Sequence, residues 1–204
     1  MGKKNIVIVG FGEEPAEVLL KSILEEADTV VAADGGADTC MKVGKIPDFV
    51  VGDMDSAKET GSAEIVKQTD ESSTDMEKAL DFALLLNPKK IVITAAFGKR
   101  KDHAFSNLLI FRKYAEEVKL EIIDDYGTLQ ILLPGKHELN RIPGKTVSMF
   151  SIEPLKDFSL KGFRYNLKKH DTTSLFYGQS NVFQEKKCCI EFSSGALYVY
   201  EVYE

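Results

Sequence analysis

Short apolar runs alternate with amphipathic stretches over the first 125 residues of the chain. Most runs are apolar on both faces, as strands covered by helices on two sides are, and they predict strands at Asn5–Val9, Thr29–Ala33, Asp48–Val51, Lys90–Ala95 and Leu120–Asp124. The stretches between them predict helices at Glu14–Glu26, Ala37–Val43, Asp75–Leu86 and Asp102–Val118. This alternation is typical of an α/β domain built on a parallel sheet.

The third predicted helix has the best-defined ends. Thr74 and Glu77 form a Thr-x-x-Glu capping box, and the apolar residues that follow repeat with helical period. The helix therefore begins near Asp75. Asn87 and Pro88 end it, since proline cannot continue a helix.

The pattern changes after Asp124 to short β-prone runs separated by turn signals such as Pro143-Gly144 and Ser194-Gly195. These runs predict strands at Thr128–Leu133, Thr146–Ile152, Phe158–Leu167, Asn181–Phe183, Cys188–Phe192 and Leu197–Tyr203. No strong helix signal interrupts them. The sequence thus predicts an N-terminal parallel-sheet α/β domain over residues 1–125 and a C-terminal all-β sandwich domain over residues 126–204.

Composition narrows the class of protein. The formal net charge is -6 and no run of five basic residues occurs, so we expect no nucleic-acid partner. The apolar run Ile6–Val9 is too short for a secretory signal, and no stretch approaches the roughly 20 apolar residues of a membrane span. The three cysteines, Cys40, Cys188 and Cys189, lack zinc-site spacing and are expected to be reduced thiols. We therefore expect a soluble cytoplasmic protein without a membrane partner.

Polar residues that follow the predicted strands are the candidates for ligand binding, because an open α/β sheet binds ligands beyond the carboxyl ends of its strands. Asp34-Gly35-Gly36-Ala37 either brings backbone N–H groups close to a phosphate or forms only a tight turn. In Gly52-Asp53-Met54-Asp55-Ser56 an extended backbone would point both carboxylates to one side, where they suit Mg²⁺. The alternative for that segment is a solvated acidic turn.

Two further segments carry candidate residues. Asp75 either complements the dipole of the third helix or completes a metal site with Asp53 and Asp55, and Lys78 would then reach a phosphate. In the segment Gly98–His103 the guanidinium of Arg100 suits a polyphosphate. Asp102 caps the last large helix or binds ligand there. A basic loop of this kind is usually only solvated.

Four segments in this order and spacing, Asp34-Gly-Gly-Ala, Gly52-Asp-Met-Asp-Ser, Thr74-Asp-Met-Glu-Lys-Ala-Leu and Gly98-Lys-Arg-Lys-Asp-His, resemble the thiamine pyrophosphokinase family. The resemblance implies an N-terminal α/β catalytic domain that binds Mg-ATP and a C-terminal β-sandwich that binds thiamine and dimerises. It also implies a homodimer with the active site at the subunit interface.

The same resemblance assigns roles to single residues. The implied Mg²⁺ ligands are Asp53, Asp55 and Asp75. The residues implied around the nucleotide are Asp34, Gly35, Gly36, Lys78, Arg100, Asp102 and His103, and the implied catalytic residues are Asp75, Lys78, Arg100 and Asp102. The implied thiamine contacts are Glu71, Tyr165, Ser180 and Asn181. Tyr165 falls where some members place a tryptophan, a residue that this chain lacks.

The implied reaction is in-line attack of the thiamine hydroxyl on the β-phosphorus of ATP, which releases AMP. Either Asp75 or Asp102 would accept the hydroxyl proton. Two alternatives remain from the sequence. One is diphosphoryl transfer to another primary alcohol, such as a pterin hydroxymethyl group. The other is a nucleotide or thiamine sensor without turnover, which has little need for a full carboxylate set together with Lys78 and Arg100.

Overall fold

The computed structural model describes residues 2–203, and they divide into two compact units with the boundary between Asp125 and Tyr126. We call the N-terminal part unit 1 and the C-terminal part unit 2. No helix in the described range is both long enough and apolar enough to cross a membrane.

Over the described residues 2–125, unit 1 is an α/β unit with six strands and four helices. Its strands are β1 (Lys4–Val9), β2 (Thr29–Ala33), β3 (Phe49–Gly52), β4 (Glu64–Lys67), β5 (Pro88–Thr94) and β6 (Leu120–Asp124). Its helices are α1 (Glu17–Glu25), α2 (Gly36–Lys42), α3 (Asp75–Leu85) and α4 (Lys101–Tyr114). The strands lie in the order β6-β5-β1-β2-β3-β4 and pair in parallel, which confirms the predicted parallel sheet.

The central strands of unit 1 are buried on both faces, as their unbroken apolar runs predict. All five residues of β2 are buried, and so are the last four of β1. Strand β4 differs because it lies at the sheet edge and is largely exposed. Because Glu64 and Lys67 at its two ends are charged, β4 does not form an apolar run and was not predicted from the sequence.

Helix α3 begins and ends where its local sequence requires. The hydroxyl of Thr74 accepts a hydrogen bond from the Glu77 N–H at 3.2 Å, and the Glu77 carboxylate accepts the Thr74 N–H at 3.3 Å. This capping box satisfies two N–H groups that a helix start leaves unpaired. At the other end Asn87 adopts a positive φ of 57°, and Pro88 opens β5.

Unit 2 consists of two antiparallel four-stranded sheets with the orders β12-β9-β14-β7 and β11-β10-β13-β8. Its strands are β7 (Gly127–Leu132), β8 (Gly135–Asn140), β9 (Thr146–Ser151), β10 (Phe158–Lys161), β11 (Leu167–His170), β12 (Phe176–Val182), β13 (Lys187–Phe192) and β14 (Leu197–Val202). Buried side chains of both sheets form one core, among them Val147, Met149, Phe158, Ile190 and Leu197. The predicted all-β sandwich is therefore confirmed.

The predicted strand Phe158–Leu167 is wrong, because the structure divides it into β10 and β11, which pair antiparallel. Residues 162–166 form the turn between them. Gly162 enters the turn with a φ of 86°, a conformation that favours glycine, and the Asn166 side chain accepts the Phe163 N–H at 3.1 Å. The turn leaves Phe163 in the core and Tyr165 65% exposed.

Candidate active site

Three aspartates converge at the carboxyl edge of the unit 1 sheet. Asp34 follows β2, Asp53 follows β3 and Asp75 opens α3. One carboxylate oxygen of each lies within 4.8 Å of the others, in the only acidic, His or Cys group of this kind among residues 2–203. Parallel strands end at the same edge of a sheet, which explains how residues so far apart in sequence meet. We call these three residues the acidic cluster.

A glycine makes room for the acidic cluster. A Cβ atom added at Gly52 would lie 2.8 Å from the Cβ of Asp34 and 3.1 Å from Oδ1 of Asp75. The first separation is shorter than an ordinary Cβ contact and the second is tight, so a side chain at this position would have to displace Asp34. The last position of β3 therefore has to be a glycine for the carboxylates to come this close.

Asp34 has a second role, because its carboxylate holds the loop that follows β3. Its two oxygens accept the N–H groups of Ser56 and Ala57, each at 3.0 Å. Burial raises the pKa of Asp34, the two backbone hydrogen bonds oppose that shift, and the acidic groups of Asp75 and Asp55 add to it. A buried carboxylate beside other acids is favoured in its charged form when a cation binds.

Asp55 lies next to the acidic cluster but outside it. Its N–H donates to Oδ1 of Asp53 at 3.1 Å, and its carboxylate accepts the Ser56 hydroxyl at 2.7 Å. The sequence argument placed Asp53 and Asp55 on one side of an extended backbone. That premise is wrong, because Met54 has a φ of 70° and breaks the extended conformation. The group that converges therefore contains Asp34 where the sequence argument had Asp55.

The signal for Asp34 was present in the sequence. It is the first charged residue after the apolar run at positions 30–33, and it is 2% exposed in the structure. A carboxylate buried at such a point needs hydrogen-bond donors or a cation. The family resemblance instead placed Asp34 around the nucleotide.

Lys78 lies one turn further along α3 than Asp75. Its ammonium is 3.2 Å from Oδ1 of Asp75, and the side chain is only 4% exposed. Lysine is almost never buried without a partner, so the ion pair explains how Lys78 is accommodated. The structure thus places a positive charge directly beside the acidic cluster.

The loop after β5 carries the basic segment. Arg100 Nε donates to Oδ1 of Asp102 at 2.9 Å, and both side chains are largely exposed. The Arg100 guanidinium holds the pKa of Asp102 well below its usual range. Helix α4 begins at Lys101, so Asp102 lies in its first turn and is not the capping residue. His103, in the same turn, is exposed.

The predicted thiamine contacts of unit 2 include one pair of interacting residues. The buried Asn181 accepts the Tyr165 N–H at 3.0 Å and donates to the Tyr165 carbonyl at 2.9 Å. Its side chain therefore fixes the backbone of an exposed tyrosine. Ser180 is exposed, has a φ of 55° and donates its N–H to the Ser148 hydroxyl at 3.1 Å. In unit 1, Glu71 is exposed in the segment before α3.

Two family descriptions match the chain. Residues 20–123 match "Thiamin pyrophosphokinase, catalytic domain", and residues 136–197 match "Thiamin pyrophosphokinase, vitamin B1 binding domain". The first match spans all of the acidic cluster and the Arg100 loop, and the second spans Tyr165 and Asn181.

Similar proteins support these matches over nearly the full length. The thiamine pyrophosphokinase of Bacillus subtilis (strain 168) is 28% identical over an alignment of 206 positions, and the alignment covers 95% of this chain and 96% of that protein. The solved thiamin pyrophosphokinase of Geobacillus thermodenitrificans has a TM-score of 0.82 at 25% identity and covers 98% of each chain. The yeast thiamin pyrophosphokinase, at 15% identity, shares the fold with a TM-score of 0.82 over 100% of this chain and 87% of its own.

Proposed function

The chain belongs to the thiamin pyrophosphokinase family, and from this premise we propose how its residues move a diphosphoryl group from ATP to the hydroxyl of thiamine. The protein is a thiamine diphosphokinase, which gives thiamine diphosphate and AMP. The match to a vitamin B1 binding domain disfavours both a pterin acceptor and a sensor unrelated to thiamine.

The acidic cluster is the observation that carries the proposed metal site. Asp34, Asp53 and Asp75 offer oxygen ligands only, within 4.8 Å of one another, which suits a hard cation such as Mg²⁺. The narrow space at Gly52 and the buried position of Asp34 fit a cation between the carboxylates. Asp55 stays a proposed fourth acid, since its backbone is bound to Asp53. Bound Mg²⁺ supplies charge neutralisation for the polyphosphate.

The basic side chains are proposed to bind the phosphates of ATP. Lys78 is held in place by Asp75, so its ammonium meets a phosphate with little loss of side-chain freedom. Arg100 has a planar fork that donates two parallel hydrogen bonds to a phosphate, and it is exposed enough to leave Asp102. Gly35, Gly36, Asp102 and His103 complete the proposed nucleotide contacts.

The reaction needs a group that accepts the proton of the thiamine hydroxyl while its oxygen bonds to the β-phosphorus and AMP leaves. Asp75 and Asp102 are the two candidates. Because Arg100 holds the pKa of Asp102 low, that carboxylate is a weak proton acceptor. Arg100 is proposed to leave Asp102 for a phosphate, however, and Asp75 is itself paired with Lys78 and proposed to bind Mg²⁺, so both carboxylates stay candidates for the proton.

Thiamine is proposed to contact Tyr165, Ser180, Asn181 and Glu71. The exposed ring of Tyr165 and its fixed backbone support this role, since a rigid aromatic face suits a cationic heterocycle.

We assign Mg-ATP binding and catalysis to unit 1, and thiamine binding and dimerisation to unit 2. A homodimer with the active site at the subunit interface completes the proposal. The three unpaired cysteines support a reducing, cytoplasmic location.

Mass analysis of the products from ATP, Mg²⁺ and thiamine tests the function directly. We expect equal amounts of thiamine diphosphate and AMP, and almost none from Asp75→Asn. Accumulation of ADP with thiamine monophosphate would contradict a diphosphoryl transfer. Omission of thiamine is the control that separates turnover from simple ATP hydrolysis.

A further inference from the structure

A half-exposed aromatic ring lies at the carboxyl edge of the unit 1 sheet, in the loop between β1 and α1. This ring belongs to Phe11, which is 48% exposed. It lies directly on the backbone of Gly35, where an added Cβ would meet three ring atoms at 2.7 to 2.9 Å. Gly35 belongs to the segment proposed to bind the nucleotide. The ring is therefore a neighbour of that segment, and neither the acidic cluster nor the basic side chains account for it.

The backbone fixes the position of this ring. The N–H groups of Gly12 and Glu13 donate to the carbonyls of Ala95 and Phe97, both at 2.6 Å. A Cβ at Gly12 would overlap the Phe97 carbonyl oxygen, so only glycine allows this approach. The loop that carries Phe11 is thus bound along its length to the loop that follows β5.

Lys99, in the loop that follows β5, contacts residues of the loop that carries Phe11. Its ammonium lies 4.2 Å from the centroid of the Phe11 ring and 4.0 Å from Oε1 of Glu14. Glu14 is paired more closely with Lys42, at 2.6 Å. The contacts of the Lys99 ammonium with Glu14 and with the Phe11 ring are therefore weak. The long flexible side chain of Lys99 allows the ammonium to move. Lys99 also precedes Arg100, the proposed phosphate ligand.

We infer that Phe11 is the surface on which the base of ATP stacks, and that Lys99 leaves the ring for the polyphosphate when the base arrives. An aromatic ring holds a stacked base more strongly than it holds an exposed ammonium, so the base displaces Lys99. The displaced ammonium then lies near phosphates, beside Arg100. This inference rests on the proposed function, which makes ATP the ligand of this edge of the sheet.

Calorimetry with two ligands separates base binding from phosphate binding. ATP carries both groups, whereas inorganic tripolyphosphate carries only the phosphates, and Mg²⁺ is present throughout. We expect Phe11→Ala to weaken ATP binding about tenfold and to leave tripolyphosphate binding unchanged. Phe11→Tyr keeps the ring and should bind ATP as the unchanged chain does. Lys99→Met should weaken ATP binding more than tripolyphosphate binding, because without a base Lys99 stays over the Phe11 ring.

Phe11→Leu is the control for a loss of folding in Phe11→Ala. The leucine keeps apolar volume on Gly35 but has no aromatic face. It should repeat the selective loss of ATP affinity with an unchanged melting temperature. Equal losses for ATP and tripolyphosphate in this variant, or no loss for ATP, would overturn the inference. Failure of the proposed function is visible separately, as ATP binding by the unchanged chain without formation of thiamine diphosphate.

Discussion

The ammonium of Lys78 lies 3.2 Å from Oδ1 of Asp75, one turn away on the same helix. Lys78 is 4% exposed and Asp75 is 35% exposed, so the positive charge is buried while its partner faces the acidic cluster. The pair therefore places one cation against three converging carboxylates. It also links the start of α3 to the chemistry of the site.

We predict that Lys78→Met reduces turnover by about 100-fold, since it removes a charge beside the phosphates and keeps most of the side-chain length. It should also lower the melting temperature in EDTA, because the acidic cluster loses its nearest cation. Excess Mg²⁺ should bring the melting temperature of Lys78→Met most of the way back to that of the unchanged chain. Thermal unfolding with and without Mg²⁺ measures both effects.

Lys21→Met is the matched control, because Lys21 forms an exposed pair with Glu17 on α1. Exposed pairs contribute about 0–1 kcal/mol to the free energy of unfolding. The same melting behaviour in both variants, with no response to Mg²⁺, would contradict the role of Lys78.

Asp53→Asn and Asp55→Asn are each predicted to cut turnover by about 100-fold or more with little effect on folding. Each change removes a negative charge at the proposed metal site without creating a cavity. Turnover measured over a range of Mg²⁺ concentrations should show a raised Mg²⁺ requirement. Glu64→Gln, an exposed acid of β4, is the control and should behave as the unchanged chain does. Near-normal turnover of both variants at limiting Mg²⁺ would exclude the metal site.

Arg100→Ala should weaken ATP binding about tenfold or more and leave thiamine binding nearly unchanged, because charge-assisted hydrogen bonds to phosphate are lost. Calorimetry with each ligand gives the two affinities. Lys89→Ala removes an exposed cation near the opposite end of β5 and should change neither affinity. Unchanged ATP affinity and turnover in Arg100→Ala would remove this residue from the site.

Tyr165→Ala is predicted to raise the thiamine KM several-fold without affecting the ATP KM, since contact between a cation and an aromatic face contributes about 0.5–2 kcal/mol. Asn181→Ala should raise the thiamine KM in the same way, because the Asn181 amide fixes the Tyr165 backbone. Tyr177→Ala removes another exposed tyrosine, on β12, and is the control. A thiamine KM that stays constant in Tyr165→Ala would show that the ring does not contact thiamine.

Mixed dimers test whether two chains share each active site. Asp55→Asn chains and Tyr165→Ala chains are each impaired alone. If the two residues act across an interface, verified heterodimers should recover part of the activity, because some sites then hold neither change. Homodimers of each variant, measured at the same concentration, are the control. Heterodimers without any recovery would place the whole site within one chain.

The sequence by itself determined the main elements of both units. Runs that are apolar on both faces required a sheet covered by helices, and the capping box of Thr74 and Glu77 fixed the start of α3. These features act over a few neighbouring residues, so the local pattern contains them. Strand β4 was not predicted, because an exposed edge strand needs no apolar run.

Only the tertiary structure decided which acids meet. The positive φ of Met54 breaks the extended backbone between Asp53 and Asp55, and Asp34 enters the acidic cluster from a different strand. Tertiary contacts likewise made Asn181 the support of Tyr165, which lies 16 residues away in sequence. Such pairings depend on backbone turns and on strand order in the sheet, and a linear pattern of residue types carries neither.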